Sequence, residues 1–322
     1  MLWEIFQEPP ILPSNQSPLG ALPARFRRER LLIVGCGDVG KRVARAVRGV
    51  RVMALTSSSQ RVPELRQLGI VPLVGNLDDA RSLRRLAGLA NRVVHLAPPP
   101  GEGSGGTHSD PRTRELICAL RRRTAPVSLV YGSTSGVYGD CKGAVVSETR
   151  AVNAQSARAL RRVDAELRVR HFGRATGVPA NLLRIPGIYA LDRPNGTPAT
   201  RLQKGTPVLN AQDDVFTNHI HADDLARACI AAIWHGRPQR VYNVNDDTQL
   251  KMGDYFDLAA DVLKLPPPPR LPLEVAKEVL SALQLSFMGE SRRMDNTRMK
   301  RELRLRLLYP TVVEGLARQL SP

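Results

Sequence analysis

Three glycines at the spacing G-x-G-x-x-G are the first residues along the chain whose pattern points to chemistry. Gly35, Gly37 and Gly40 follow the apolar run 31–34, which predicts a buried strand, and precede a predicted helix over 39–48. In this setting the first glycine permits a tight turn, the second lets the backbone approach a pyrophosphate, and the third lets the helix pack against the strand. The free N–H groups at the helix start attract phosphate, so the pattern predicts a dinucleotide-binding loop that also includes Asp38 and Val39. A glycine-rich turn without a ligand is the alternative.

The residues after the predicted strand 51–55 indicate which dinucleotide the loop takes. A ribose with a free 2′-hydroxyl usually meets an Asp or Glu about 20 residues after the glycines. This segment carries hydroxyl groups and a cation instead, at Thr56, Ser57, Ser58 and Arg61. These side chains suit a 2′-phosphate, so we predict NADP(H), with NAD(H) as the alternative. An ordinary helix cap would explain the same hydroxyl groups.

The elements that must position these residues follow an alternating pattern. Strands are predicted at 31–34, 51–55, 70–74, 92–97, 127–131 and 181–185, and helices near 39–48, 61–68, 79–88, 111–123 and 156–173. Such alternation predicts an α/β fold with a Rossmann, doubly wound parallel sheet. After about residue 186, helices near 222–235, 254–263, 273–285 and 312–320 and short strands at 215–220 and 241–244 predict a smaller α-rich region.

We therefore predict three parts. Residues 1–29 hold five prolines and a basic cluster without periodicity, which is typical of a flexible N-terminal extension. Residues 30–185 are predicted to form an NAD(P)-binding Rossmann domain. Residues 186–322 are predicted to form a C-terminal substrate-binding region, of which about 215–245 returns to the Rossmann sheet.

Composition excludes several classes of protein. The chain has 322 residues and a formal net charge of +17, from 47 Lys and Arg against 30 Asp and Glu. Aromatic residues make up only 4%, so arginines on solvated helix faces explain the charge better than a specific nucleic-acid site does. Four scattered cysteines predict neither a disulfide framework nor a zinc site. With no signal-peptide pattern and no apolar run long enough for a bilayer, we expect a cytoplasmic protein without membrane contact.

Four ordered motifs resemble a known family. They lie at 131–139, 183–189, 219–226 and 241–244. Together they are similar to the extended short-chain dehydrogenase/reductase superfamily, specifically the NAD-dependent epimerase/dehydratase family, over roughly 31–320. The resemblance implies an NAD(P)-binding Rossmann domain and a C-terminal region that often acts on nucleotide sugars.

The resemblance also implies which residues lie along the cofactor. It places Asn76 and Leu77 near the adenine, Ala97 and Pro98 along the cofactor after the fourth strand, and Pro186 and Ile188 near the nicotinamide. Thr134 falls on the family's Ser or Thr beside the reacting carbon, although a capped turn would explain it equally simply.

The family's catalytic pair, Tyr-x-x-x-Lys, is where this chain departs from the pattern. Arg158 stands at the tyrosine position and Arg162 at the lysine position. A guanidinium does not deprotonate near neutral pH, so Arg158 is no general acid or base. Arg162 can hold a ribose hydroxyl or neutralise a phosphate, and Arg158 can clamp a substrate carboxylate or phosphate. Both can also be solvated helix charges, which leaves Tyr138 and Tyr189 as the nearest candidates for moving a proton.

These observations predict an NAD(P)-dependent oxidoreductase or epimerase/dehydratase-like enzyme that lacks the usual pair. Its substrate would be a small molecule, a nucleotide sugar or another anionic carbonyl compound. The alternative is a non-catalytic NADP(H)-binding sensor or regulatory protein. No metal is predicted, because His219 and His221 before Asp223 are explained by a helix start. The arginine-rich helices 111–123 and 156–173 leave a homodimer open.

Overall fold

Seven parallel strands form one sheet in the order β3-β2-β1-β4-β5-β7-β12, with strands numbered along the chain. They are β1 (Arg30–Val34), β2 (Arg51–Thr56), β3 (Val71–Val74), β4 (Arg92–His95), β5 (Ser128–Thr134), β7 (Ala180–Ile185) and β12 (Val241–Asn243). This computed structural model describes residues 28–101, 108–193 and 196–317, without the side chains of 282 and 283. The strand order and the helices on both faces confirm the predicted Rossmann fold class.

The helices are numbered in the same way. They are α1 (Asp38–Ala46), α2 (Val62–Gln67), α3 (Pro111–Leu120), α4 (Ala157–Thr176), α5 (Ala199–Gln203), α6 (Ala222–His235), α7 (Met252–Leu263), α8 (Leu273–Val279), α9 (Ala282–Met288), α10 (Thr297–Glu302) and α11 (Val312–Ala317). Side-chain caps fix the starts of α3 and α4, because Asp110 accepts from the Thr113 N–H and Ser156 from the Ala159 N–H. None of the helices in the described ranges has the length and apolar character that crossing a bilayer requires.

Alternate residues of β1 pack into two different cores. Leu31 and Ile33 join the cluster beneath α1 and α6, whereas Leu32 and Val34 join the cluster on the opposite face, to which α3 and α4 contribute. All four side chains have no exposed surface. Because successive strand residues point to opposite faces, a strand covered on both sides must be apolar throughout, which is the pattern that the sequence shows.

The chain beyond β7 forms a third core around α7 and several two-stranded pairs. The short strands are β6 (Val145–Val146), β8 (Gly187–Tyr189), β9 (Val208–Leu209), β10 (Phe216–Thr217), β11 (His219–His221), β13 (Leu250–Lys251), β14 (Arg270–Leu271) and β15 (Arg293–Met294). Of the segment 215–245, only β12 adds to the seven-stranded sheet, since β10 pairs with β13 and β11 with β8. The remainder of that prediction is therefore wrong.

Two predicted helices differ in the structure. The segment 79–88 forms turns and a short 3-10 turn, Arg84–Leu86, because side-chain oxygens such as that of Asp79, which accepts from the Arg81 N–H, compete with helix formation. The predicted helix 273–285 is two helices, α8 and α9, since Ser281 caps a new start with Gln284.

The two ends of the chain are described only in part. Of the predicted flexible extension over 1–29, residues 1–27 lie outside the described residues. The last three residues of the predicted helix 312–320 also lie outside them. Glu29 already belongs to the fold, because its carboxylate lies 2.5 Å from Arg92 Nε.

Candidate functional site

The loop between β1 and α1 shows why each of its glycines is needed. Gly35 has φ +86°, and a Cβ built there would lie 2.3 Å from the backbone nitrogen of Ala97 at the end of β4. A Cβ on Gly37 would meet no atom within 4 Å, so the space above this residue is open. A Cβ on Gly40 would lie 3.1 Å from Ile33, where α1 packs on β1. A close turn, an open approach and a tight helix contact are what a pyrophosphate-binding loop requires.

A cavity of about 290 Å³ opens over this loop at the carboxyl ends of the sheet strands. Several of the predicted site residues line it: Gly35, Gly37, Asp38, Val39, Gly40, Thr134, Arg162, Pro186 and Ile188. The cavity lies where the strand order turns from β1 to β4, which is the usual ligand position in such sheets. It therefore joins the glycine loop to the region in which the resemblance puts the reacting carbon.

The residues after β2 lie beside the glycine loop but outside this cavity. The guanidinium of Arg61 donates to the carbonyl oxygen of Cys36, at 2.5 Å. The hydroxyl oxygen of buried Thr56 accepts from the Ser58 N–H at 3.3 Å, while Ser57 is exposed. Hydroxyl groups and a cation thus flank the end of β2, where the ribose of a bound adenosine would lie.

The loops after β3 and β4 are bridged by an arginine that sequence reasoning did not single out. Arg112 donates to both carboxylate oxygens of Asp78, at 2.8 and 2.6 Å, and to the carbonyl oxygen of Pro98 at 3.3 Å. The Arg112 guanidinium holds the pKa of Asp78 below its usual range. Asn76 is exposed and Leu77 is buried, so the two predicted adenine neighbours occupy different environments.

Arg162 lines the cavity and is held there by two hydrogen bonds. Its Nη1 donates to the hydroxyl of Tyr131 at 3.0 Å and to the carbonyl oxygen of Gly132 at 2.7 Å. Burial raises the pKa of Tyr131 to about 12, so this phenol remains protonated. Within the described ranges no carboxylate forms an ion pair with Arg162. Thr134, on the same strand end, accepts from the Gly136 N–H at 3.3 Å, which leaves its hydroxyl hydrogen for a ligand.

Arg158 has a different environment, although it stands one helical turn away. Its side chain is exposed and lies over the ring of Phe287 in α9, 4.8 Å from the ring centre. It does not line the cavity. Partial burial lowers its pKa from the ordinary arginine value, opposed by the charge of Glu290. The two predicted arginines thus have separate surroundings, one inside the cavity and one outside it.

The two tyrosine candidates are core residues. Tyr138 has no exposed surface, and its hydroxyl donates to the side-chain oxygen of Asn243 at 2.7 Å. Burial raises its pKa. Tyr189 is 1% exposed and donates to the carbonyl oxygen of Thr311 at 3.3 Å. Tyr138 does not line the cavity, so the geometry lends no support to the prediction that it moves a proton to or from a substrate. The motif that suggested it reports packing.

The two histidines also have structural contacts. His221 Nδ1 accepts from the Asp223 N–H at 3.2 Å and so caps α6. His219 stacks on Tyr255 with ring centres 3.9 Å apart, and burial lowers its pKa to about 3. Among the residues that the structure describes, no three His, Cys, Asp or Glu side chains are grouped as a metal site would require.

Sequence reasoning missed six of the lining residues: Leu96, Gly132, Ser133, Ile185, Arg193 and Leu225. Gly132 and Ser133 lie next to Thr134 on β5, so the carboxyl end of that predicted strand was a usable signal. Arg193 lies in a turn after β8, and no periodicity or spacing in the sequence brings it to the cavity.

Strand order, glycine loop and cavity position together define a dinucleotide-binding protein of the Rossmann class. The chain belongs to the NAD dependent epimerase/dehydratase family, whose model matches residues 31–245. This finding confirms the resemblance seen in the four motifs.

Solved structures share the fold over nearly the whole chain. A functionally unknown conserved protein from Silicibacter pomeroyi DSS is 27% identical, with a TM-score of 0.73 over 89% of this chain and 96% of that one. The dTDP-glucose 4,6-dehydratase of Streptomyces venezuelae, with NAD and TYD bound, is 20% identical, with a TM-score of 0.73 over 90% and 95%. The UDP-glucose 4-epimerase of Thermotoga maritima, with UDP-glucose, is 18% identical, with a TM-score of 0.73 over 89% and 96%. No curated protein is a detectable match.

Proposed function

We propose that this protein is an NAD(P)-dependent oxidoreductase or epimerase/dehydratase-like enzyme that works without the Tyr-x-x-x-Lys pair. One observation carries the proposal: a single cavity joins the glycine loop to Thr134 and Arg162. A nicotinamide dinucleotide laid from the loop into this cavity would bring its reactive ring next to both side chains, where it supplies or accepts a hydride. NAD is bound by the dTDP-glucose 4,6-dehydratase of similar fold.

The proposed cofactor is NADP(H). Arg61 lies against the glycine loop beside hydroxyl groups, and a guanidinium suits a 2′-phosphate. The nearest acid, Glu64, is held by Lys41 at 2.6 Å, and this contact lowers the pKa of Glu64. Glu64 also lies 3.8 Å from Arg61 Nε, but its contact with Lys41 is the closer one, so Arg61 has only a long contact to give up for a phosphate. Replacing Arg61 by Gln should weaken NADPH binding while changing the affinity for NADH little.

Arg162 would act on the substrate through charge. When hydride reaches a carbonyl carbon, negative charge develops on the oxygen, and a fixed cation stabilises that charge. The Thr134 hydroxyl would donate a hydrogen bond to the same oxygen. The residues that line the cavity in the described ranges include no Tyr, His, Lys or Cys, so water would supply the proton that completes the alcohol.

The proposed substrate is a small anionic carbonyl compound. Arg162, which lines the cavity, has no carboxylate partner within ion-pair distance among the described residues, and such a guanidinium can bind a carboxylate or phosphate. Nucleotide sugars belong to this class, and UDP-glucose is bound by the similar Thermotoga maritima epimerase.

The test is NADPH oxidation with pairs of aldehydes and ketones that differ only in an added carboxylate or phosphate. We expect turnover with the charged member of at least one pair. Arg162→Gln should lower kcat by about 100-fold, the usual loss for one charge-stabilising donor. Arg168→Gln is the matched control, because Arg168 pairs with Asp164 on the same helix outside the cavity. Equal rates in both variants would contradict the role of Arg162.

A non-catalytic NADP(H) sensor is the second candidate, and it is favoured because the described residues that line the cavity include no Tyr, His, Lys or Cys to act as a general acid. Calorimetry and deuterium transfer from 4-deuterated NADPH separate the two functions. A sensor binds NADPH and transfers no deuterium to any compound of the panel. An enzyme transfers deuterium to its substrate.

A further inference from the structure

Arg193 reaches the glycine loop from the chain segment that follows β8. It lines the cavity together with Gly37 and Asp38. Its Nε lies 3.3 Å from the Asp38 carboxylate, and its Nη1 donates to the carbonyl oxygen of Ile188 at 2.8 Å. Its side chain is 27% exposed, so the guanidinium borders both the cavity and solvent. No motif in the sequence pointed to this residue.

Asp38 is shared with a second arginine, Arg42, and each of the three side-chain nitrogens of Arg42 contacts a carboxylate. Arg42 Nε lies 3.2 Å from Asp38, while Nη1 lies 2.5 Å from Asp223 and Nη2 lies 2.7 Å from Asp192. The Arg42 side chain is only 9% exposed. Arg42 therefore cannot turn to a ligand without abandoning a carboxylate in a largely dry environment.

The cluster of Asp38, Asp192, Asp223, Arg42 and Arg193 opposes a pyrophosphate on its side of the loop unless one group moves. Three carboxylates share two guanidinium groups, which leaves the cluster one negative charge in excess. A pyrophosphate approaching Gly37 would meet the helix N-terminus but also the adjacent Asp38. Of the two arginines, only Arg193 is exposed enough to reorient, and its contact with Asp38 is longer than the Arg42 contacts with Asp192 and Asp223.

We propose that Arg193 is a pyrophosphate-binding residue that exchanges the Asp38 carboxylate for the ligand's phosphate when a dinucleotide binds. The inference rests on the proposed function in one respect, that the glycine loop takes a dinucleotide. In the free protein Asp38 holds Arg193 next to the loop. In the complex Arg193 makes charge-assisted hydrogen bonds to phosphate oxygen, while Arg42 continues to neutralise Asp38.

Calorimetry with three ligands tests the phosphate contact. NADPH and 2′-phospho-ADP-ribose contain the pyrophosphate, whereas adenosine 2′-monophosphate lacks it. Arg193→Gln should weaken the first two by about 10-fold or more, which is the loss expected for a charge-assisted hydrogen bond, and leave the third within about twofold. Arg193→Lys should retain part of the affinity, and Arg168→Gln should leave all three ligands unchanged. Thermal unfolding of each variant checks that it is folded.

A double-mutant cycle tests the exchange. Asp38→Asn should tighten NADPH binding in the wild-type background, because Arg193 no longer has to leave a carboxylate. The gain should be clearly smaller when Arg193 is Gln, whereas a general charge effect of Asp38 would be equal in both backgrounds. An equal gain would overturn the exchange, and an unchanged NADPH affinity in Arg193→Gln would overturn the phosphate contact. If the wild-type protein binds adenosine 2′-monophosphate but neither NADPH nor 2′-phospho-ADP-ribose, the proposed function itself fails.

Discussion

Gly35 and Gly37 stand two residues apart, yet replacing the first should affect stability and replacing the second should affect ligand binding. Gly35 faces the backbone of Ala97 with a positive φ, whereas Gly37 faces open space. We therefore expect the first glycine to be needed for the fold and the second for the approach of a ligand. The spacing of the glycines predicted both roles, because the same geometry recurs wherever a backbone carries a pyrophosphate.

Gly35→Ala and Gly37→Ala should separate stability from binding. Gly35→Ala should lower the free energy of unfolding by about 2 kcal/mol or more, since a Cβ at positive φ is strained and here also meets backbone. Gly37→Ala should retain the wild-type unfolding curve and lose most of its dinucleotide affinity. Urea unfolding and calorimetry measure the two quantities. Similar losses of stability in both variants would contradict this assignment.

Asp246 should give the protein a measurable pH dependence of stability. It is 1% exposed, and burial raises its pKa to about 8. The folded state therefore binds this proton more tightly than the unfolded state, whose Asp pKa is about 4. The stability contributed by this proton is complete below about pH 4 and is lost as the pH rises towards 8.

Asp246→Asn should remove this dependence of the free energy of unfolding on pH. Between pH 5 and about 8, where the carboxyl stays protonated in the folded protein but is ionised in the unfolded chain, the wild-type free energy of unfolding should fall relative to that of the variant. Urea unfolding at closely spaced pH values provides the comparison. Parallel curves would show that Asp246 is ionised in the folded protein throughout.

Elements were predicted best where burial alone determines them. The sheet strands β1, β2 and β5 follow from short apolar runs, since a strand covered on both faces has no polar alternative. The segment 79–88 failed because Asx-type contacts of Asn76 and Asp79 satisfy the backbone locally. The surroundings of Arg158 and Arg162 could not be predicted from the sequence either. Only tertiary packing sets one over Phe287 and the other against Tyr131.

The α9 start should depend on its capping box. The Ser281 hydroxyl accepts from the Gln284 N–H at 3.3 Å, and the Gln284 side chain accepts from the Ser281 N–H at 3.0 Å. Ser281→Ala should destabilise the protein by about 1 kcal/mol, and Ser281→Gly by only a few tenths. Thermal unfolding measures both variants. If Ala and Gly cost the same, the hydroxyl makes no net contribution.

The excess of arginine has structural uses across the whole molecule. The predicted explanation, solvated helix faces, is incomplete. The Arg184 side chain is 3% exposed and pairs with Glu166 at 2.8 Å beneath the Tyr138 ring, and the Arg42 side chain is 9% exposed among three carboxylates. Net charge could not predict these buried pairs, because it counts residues without regard to their partners.

Residues 1–245 should not fold without the helices that follow them in the chain. The core beneath α1 and α6 includes Met299, Leu303 and Leu305, and the hydroxyl of Tyr242 in β12 lies 3.3 Å from Glu302. A fragment of residues 1–245, which contains the whole family match, should therefore lack a cooperative unfolding transition. Circular dichroism during heating measures this. A single wild-type-like transition in the fragment would show that the later helices are dispensable.

The position of β12 has a consequence during synthesis. Strand β12 covers the otherwise open edge of β7 (Ala180–Ile185). The ribosome makes β12 only after the helices and short strands that lie between β7 and β12 in the sequence. Until Asn243 has left the ribosome, the nascent sheet presents an unpaired apolar edge to other chains. Slow translation between these two strands would therefore lower the yield of folded protein, even though the finished molecule is unchanged.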